Sequence, residues 1–332
     1  MIVMPAFLID TPAMSFSEPP SAATDLISEL LTGMRLRGVQ YRRIQTGPEF
    51  GIGFEDRPGC AYFHYVAVGT AFLRMSGGEL VELSPGSATF LPHGTEHQLL
   101  SEPGISFNRI DTFDASHLGE AVRGVDTCPS THAIPSAVLF YGCMELDLGS
   151  MQRLGEMMPE VMVGHTGGKQ YPDLEPILDA MKREICSGRI GYAGILARLA
   201  EVAASMIVRG WIECGTETAS GLIAALRDPR LARAILALHR NPGKNWTVSE
   251  LAEESFVSRS VFAQRFQSTI GVSPLRYATE LKMRLASQWL IEEKLSIEDV
   301  GLRLGYASQA AFSRAYKRFH GRPPGISRQI AA

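Results

Sequence analysis

Two sets of polar side chains recur near the C-terminal end with one spacing, fifty positions apart. Arg259, Ser260 and Gln264 follow Ser258, and Gln309, Ser313, Arg314 and Lys317 follow Ser308. Side chains three or four residues apart share one face of a helix. Arg and Gln carry the forked geometry that tells guanine and adenine edges apart in a major groove, and Lys offers a point charge to a phosphate. The chemistry predicted is recognition of double-stranded DNA. The chain shows no acid/base pair or nucleophile–base motif, so no catalytic residue is assigned and an enzyme is not expected.

These side chains need helices to hold them. Ser258-Arg-Ser-Val-Phe262-Ala-Gln-Arg-Phe266 runs on to Gly271 and Pro274, and Ser308-Gln-Ala-Ala-Phe312-Ser-Arg-Ala-Tyr316 runs on to Gly321 and Pro324. Each copy follows a segment opened by a capping-box pattern, Thr247 with Glu250 and Ser296 with Asp299. Two short helices joined by a tight turn, the second opened by a serine, is the layout of a helix-turn-helix. The predicted helices are Pro229–His239, Val248–Ser255, Arg259–Thr269, a long connector Pro274–Glu292, Ile297–Leu304 and Gln309–His320, with a short turn after Pro324. Phe262, Phe266, Phe312 and Tyr316 fall on one stripe of each reader helix and are expected in the core. Two reader helices on one connector enter successive grooves about 34 Å apart.

Charge divides along the same line. The net charge of −3 combines +7 over residues 228–332 with −10 over residues 1–227, and no acidic residue follows Asp299. A cationic face suits a phosphate backbone. At 332 residues the chain is long for a single core, so two domains are expected. The N-terminus lacks a basic leader. The apolar stretch Ile195–Ile212 carries Arg198, Glu201 and Arg209, against a membrane span. Five cysteines form no paired framework, which points to a reducing cytoplasm.

Between about residues 39 and 148, apolar and polar residues alternate between Gly and Pro punctuation, the pattern of short β-strands. Tyr62–Val68, Ala71–Met75, Ala88–Leu91 and Ala137–Tyr141 are examples, with turns at Gly77-Gly78, Pro85-Gly86 and His93-Gly94. Ser21–Met34 before them reads as helical. From Leu174 the period is helical: Leu174, Ile177, Leu178, Met181 and Ile185 form one stripe, and Ile195, Leu199, Val202 and Met206 another. These helices either pack on the β-domain or also pair with a second subunit, making a homodimer. Glu213–Ser220 is polar and small and reads as a linker.

Residues 228–328 resemble the AraC/XylS transcription regulators. The likeness rests on the double motif, on Arg284-Leu-Ala286-Ser-Gln-Trp-Leu290 in the connector, and on Gly305-Tyr306, Phe312-Ser-Arg314-Ala-Tyr316-Lys317, Gly321, Pro324 and Arg328. Gly301, Pro323 and Ser327 depart from the usual residues, and Gly301 softens its helix by up to about 1 kcal/mol. Gly86-Ser-Ala-Thr-Phe-Leu-Pro92-His93-Gly94-Thr-Glu-His97 resembles the second signature of the cupin barrel, and His64 followed by Gly69 is part of the first. The fold class implied is a two-domain α+β chain. A cupin-like β-barrel with flanking helices occupies residues 1–173, a helical pair that is the dimerisation element 174–213, a linker 214–221, and an all-α domain with two helix-turn-helix motifs 222–332.

The cupin resemblance carries His64 and His97 over as candidate metal ligands. Cys143 adds a thiolate that suits Zn²⁺. The alternative is that His64, Tyr62, His97 and His93 are hydrogen-bonding residues of a pocket for an organic effector, with Cys143 a small core residue. The function implied is a one-component regulator that binds promoter DNA, holds a small molecule in its barrel and changes recruitment of RNA polymerase. A metal-dependent cupin enzyme fused to a DNA-binding domain is the second reading, and a ligand-free architectural protein the third.

Overall fold

The computed structural model describes residues 34–118, 122–128, 134–148, 157–165, 173–214, 221–291 and 293–326, with Ser28, Leu31 and Gly155. Twelve strands are described: β1 Arg35–Thr46, β2 Gly51–Phe54, β3 Cys60–Val68, β4 Ala71–Met75, β5 Leu80–Leu83, β6 Ser87–Leu91, β7 His97–Leu100, β8 Asn108–Arg109, β9 Ala115–His117, β10 Val122–Asp126, β11 Ala137–Asp147 and β12 Met162–His165. They form a seven-stranded sheet in the order β12-β6-β3-β11-β1-β10-β9 and a five-stranded sheet in the order β5-β4-β7-β2-β8. Positive φ at Gly78, Gly86 and Gly94 makes the three predicted turns. Of the helix expected over Ser21–Met34, only Ser28 and Leu31 are described as helical; the rest lies outside the described residues.

Strand alternation sends the large sheet's side chains to two cores. From β3 and β11, Tyr62, Val66, Leu139, Tyr141 and Cys143 join Ile52, Phe54, Leu73 and Leu99 of the small sheet. The opposite face supplies Phe63, Tyr65, Phe140 and Met144 to a second core with the helices. There α1 (Glu175–Ser187) and α2 (Tyr192–Cys214) pack on each other and on the sheet. Tyr65 donates to the Leu178 carbonyl at 2.9 Å, and Tyr41 to Glu201 at 3.3 Å.

Helix α2 has two apolar faces. Leu196, Ala200, Ala203, Ala204, Ile207 and Val208 are buried against the domain. The predicted stripe is a different one: Ile195 is 47% and Val202 45% exposed, with Leu199 and Met206 half-buried beside them.

The C-terminal part holds α3 (Leu222–Arg227), α4 (Pro229–Arg240), α5 (Val248–Glu254), α6 (Arg259–Ile270), α7 (Pro274–Ile291), α8 (Ile297–Arg303) and α9 (Gln309–His320). The sequence reading did not include α3. Thr247 and Glu250 form the complete capping box. Ser296 caps α8 by accepting from Asp299 N, but its hydroxyl donates to the Asp299 carboxylate at 2.6 Å. Ser258 and Ser308 cap the reader helices α6 and α9 through Val261 N and Ala311 N. The repeated aromatics pack as expected: Phe262 on Phe266 at 5.5 Å, and Phe312 on Tyr316 at 5.7 Å.

The two motif turns differ. Gly305 has φ +76, and a Cβ there would lie 1.9 Å from the Gly243 carbonyl oxygen. A Cβ on Gly243 would in turn lie 2.3 Å from the Arg303 carbonyl oxygen. Backbone therefore touches backbone where the α4–α5 loop meets the second motif. The matching position of the first motif is Phe256, with φ +52 and 76% exposure. Gly301 admits Phe312, whose Cβ would be 3.2 Å from an added methyl.

Candidate functional site

In the helical domain the structure brings the predicted reading residues to the surface. Arg259, Ser260 and Gln264 on α6, and Gln309, Arg314 and Lys317 on α9, are exposed, with Ser313 half-buried. Arg259, Arg314 and Lys317 form no ion pair among the described residues, and Arg318 follows Lys317 on α9. Helix α7 carries both motifs. Tyr277 meets Phe266 at 5.7 Å, and His320 bonds to the Met283 carbonyl at 3.1 Å.

In the sheet domain, β3 and the turn before β7 bring Tyr62, His64 and His97 together. The His64 and His97 Nε2 atoms lie 2.7 Å apart, and His97 Nδ1 lies 2.7 Å from the Thr95 carbonyl. A carbonyl only accepts, so His97 carries its proton on Nδ1 and accepts at Nε2. His64 therefore donates from Nε2, which leaves its Nδ1 a buried acceptor with no partner among the described residues. Burial, and then the other imidazole, hold the His64 pKa well below its usual value, and burial lowers that of His97 to about 4. Both rings are neutral at pH 7. Phe54 stacks on His97 at 4.7 Å and meets His64 and Tyr141 at 4.8 Å. Rings fill the space around the pair.

His93 and Cys143 do not join this pair. His93 is exposed and bonds to the Met158 carbonyl at 2.9 Å. Cys143 is buried, two residues along β11 from the Tyr141 that faces His64, and its sulfur accepts from Arg57 at 3.9 Å. A zinc site needs three or four donors around one point. No such group of His, Cys, Asp or Glu is present among the described residues. Two Nε2 atoms holding a proton between them at 2.7 Å also leave no room for an ion. The donor set does not fit zinc.

Sequence reasoning missed two sets of residues. Arg42 is 3% exposed and donates to the Ile110 carbonyl and to Asp111, each at 2.5 Å, closing one end of the sheets. No sequence pattern marks a buried arginine. The second set joins the domains. Arg227 Nε donates to the Ile212 carbonyl at the end of α2 at 2.6 Å. The next residue, Asp228, caps α4 through Arg230 N and pairs with Arg265 of reader helix α6 at 2.6 Å. Asp before Pro229 was a legible capping signal; the ion pair was not.

A family model described as Cupin matches residues 25–213, and one described as Helix-turn-helix domain matches residues 251–329. A putative AraC-like transcription regulator of Streptomyces lividans is 28% identical over 313 residues, covering 92% of this chain and 98% of that protein. The HTH-type transcriptional regulator AlkR of Acinetobacter baylyi is 27% identical, covering 92% of this chain and 99% of that protein. The crystal structure of ToxT from Vibrio cholerae O395 covers 91% of this chain and 99% of that one at 9% identity, with a TM-score of 0.35.

Proposed function

We propose that this chain, which belongs to the cupin family and is an AraC-type transcription regulator, is a one-component switch of the cytoplasm that reads promoter DNA with α6 and α9. The carrying observation is the pair of capped reader helices, each presenting exposed Arg, Lys and Gln from one connector. A small molecule held in the sheet domain sets promoter affinity and so polymerase recruitment. We infer its site to lie around Tyr62, His64 and His97, because His64 Nδ1, with no partner among the described residues, is a buried acceptor that a ligand donor would satisfy. The packed rings mean that entry requires Phe54 or Tyr141 to swing aside. Arg227 and Asp228, gripping α2 with one side chain and α6 with the next, carry the ligand state to the reader. A ligand shifts promoter binding only by its unequal affinity for two arrangements of that junction.

The same reading makes the protein a homodimer. Ile195, Leu199, Val202 and Met206 have the four-three-four spacing of a coiled-coil seam. Antiparallel pairing of α2 sets Leu199 against the partner's Val202 and Ile195 against the partner's Met206. Footprinting of the full chain on DNA upstream of its own and adjacent genes tests the function. Protection of one sequence at physiological salt, weakening steeply as salt rises, is expected. Equal affinity for unrelated DNA would overturn the reading.

A further inference from the structure

Cys60 and Cys143 sit on neighbouring antiparallel strands. Cys60 opens β3 opposite Glu145, and Cys143 on β11 lies opposite Tyr62, so the two are diagonal neighbours on one face of the sheet. Diagonal neighbours of this kind stand about 7–8 Å apart, so their side chains reach toward each other across the strands. Cys143 is wholly buried and Cys60 half-exposed, which gives one sulfur access to solvent and shields the other. Arg57 donates to the Cys143 sulfur at 3.9 Å and reaches Asp111 at 3.5 Å with its other nitrogen. Cys60 hangs from a turn in which its N–H donates to the Arg57 carbonyl at 3.1 Å. Gly59 in that turn has φ +84 and open space around it.

We propose that Cys60 and Cys143 form an oxidation site, at which a hydroperoxide converts the thiol pair into an intrachain disulfide. Cys60 Sγ attacks the distal oxygen, the O–O bond breaks, the leaving oxygen takes up the Cys60 proton and departs as alcohol or water, and a sulfenic acid remains. Cys143 Sγ then attacks the Cys60 sulfur. The S–O bond breaks, and hydroxide leaves with the Cys143 proton as water. Two thiol hydrogens and two electrons pass to the hydroperoxide. Closing the sulfurs to about 2.05 Å draws Cys60 toward β11. The open turn at Gly59 takes up the movement and carries Arg57 away from Asp111. A thiol reductant reverses the bond, as a transient disulfide in a reducing compartment requires. The site stands whether or not the chain regulates a promoter.

Burial, and then Cys143, hold the Cys60 thiol up at about 11, with Glu145 adding to this and Arg57 opposing it. The thiolate is the nucleophile, so the rate rises about tenfold per pH unit between 7 and 9. The test treats the full-length protein with hydrogen peroxide, blocks remaining thiols with iodoacetamide under denaturing conditions, and maps peptides by mass spectrometry. The expected product is a 60–143 cross-linked peptide pair, lighter by two hydrogens, that dithiothreitol abolishes. Cys143→Ser should lose it and leave a dimedone-reactive Cys60. Mapping on the unaltered chain stands even if that variant fails to fold. Recovery of Cys60 and Cys143 both alkylated once the exposed Cys186 has been oxidised would overturn the proposal, as would a link from Cys60 to any other cysteine.

Discussion

At the residue scale, Arg314 and Lys317 are both exposed on α9, and the proposed reading gives them different partners, a base edge for the arginine and a phosphate for the lysine. Arg314→Ala should cost about 1–3 kcal/mol in promoter affinity and relax specificity at one base, whereas Lys317→Ala should weaken all sequences alike. Gel shifts on a panel of single-base variants distinguish the two outcomes. The histidines give a second prediction. His97 and His239 are each held at about 4 by burial, and His64 is also lowered. An unfolded histidine binds a proton near 6.5, so below that pH the unfolded state takes up protons that the folded state refuses. Stability should be level above about 6.5 and fall toward pH 4 by about 1.4 kcal/mol per unit for each such group. Urea midpoints across pH 4–8 should show that fall, and His239→Gln should shallow it. A stability that rises on acidification would contradict the neutral pair. The grouping of Tyr62 and His64 was legible because alternation fixes the face of a strand. Alternation says nothing of distance along the sheet or of which way a turn points, so it did not reveal that Cys143 and His93 lie elsewhere.

At the scale of elements, capping serines and apolar periods located the helices of the C-terminal domain, while α3 escaped because six residues are too short for a period. Gly301, read as a soft spot, is where the second motif's helices close on Phe312. The turn of the first motif carries strain at Phe256, whose left-handed backbone costs a non-glycine residue about 1–3 kcal/mol. Its exposed ring meets Arg233 at 4.7 Å from the centroid, a contact of about 0.5–1 kcal/mol at an exposed site. Phe256→Gly should therefore raise the unfolding midpoint, and thermal melts check this. Helix α2 showed only one of its two faces in the sequence. A run of Ala and Leu at the buried face blurred the period, and the stripe that stood out was the more exposed one. Leu199→Asp at the centre of that stripe should turn a dimer into a monomer of 36.2 kDa in light scattering without unfolding it. An unaltered chain that is already monomeric at micromolar concentration would remove the dimer.

Across the whole molecule, Arg227 and Asp228 link the two domains from adjacent positions, beside a Gln288–Asp147 hydrogen bond at 3.5 Å and an apolar core that runs between the domains. Linkage is reciprocal, so promoter DNA bound at α6 must act on α2 if the junction transmits at all. Promoter DNA should slow hydrogen exchange over residues 206–212, and Arg227→Gln should abolish that effect while leaving the reader helices protected. No change over 206–212 in the unaltered chain would show that the domains act independently. The two motifs are locked to each other by other means, the connector α7 and the contact of Gly305 with Gly243. Any side chain at 305 would meet carbonyl backbone, with no flexible neighbour to swing away. The residues proposed to read bases on α6 and α9 are exposed instead. The domain is thus built to evolve unevenly: target preference can drift through changes at the reading face, while two positions with no side chain and no base to touch hold the spacing of the readers constant. A saturation scan scored on promoter output should find 243 and 305 among the least tolerant sites in the chain.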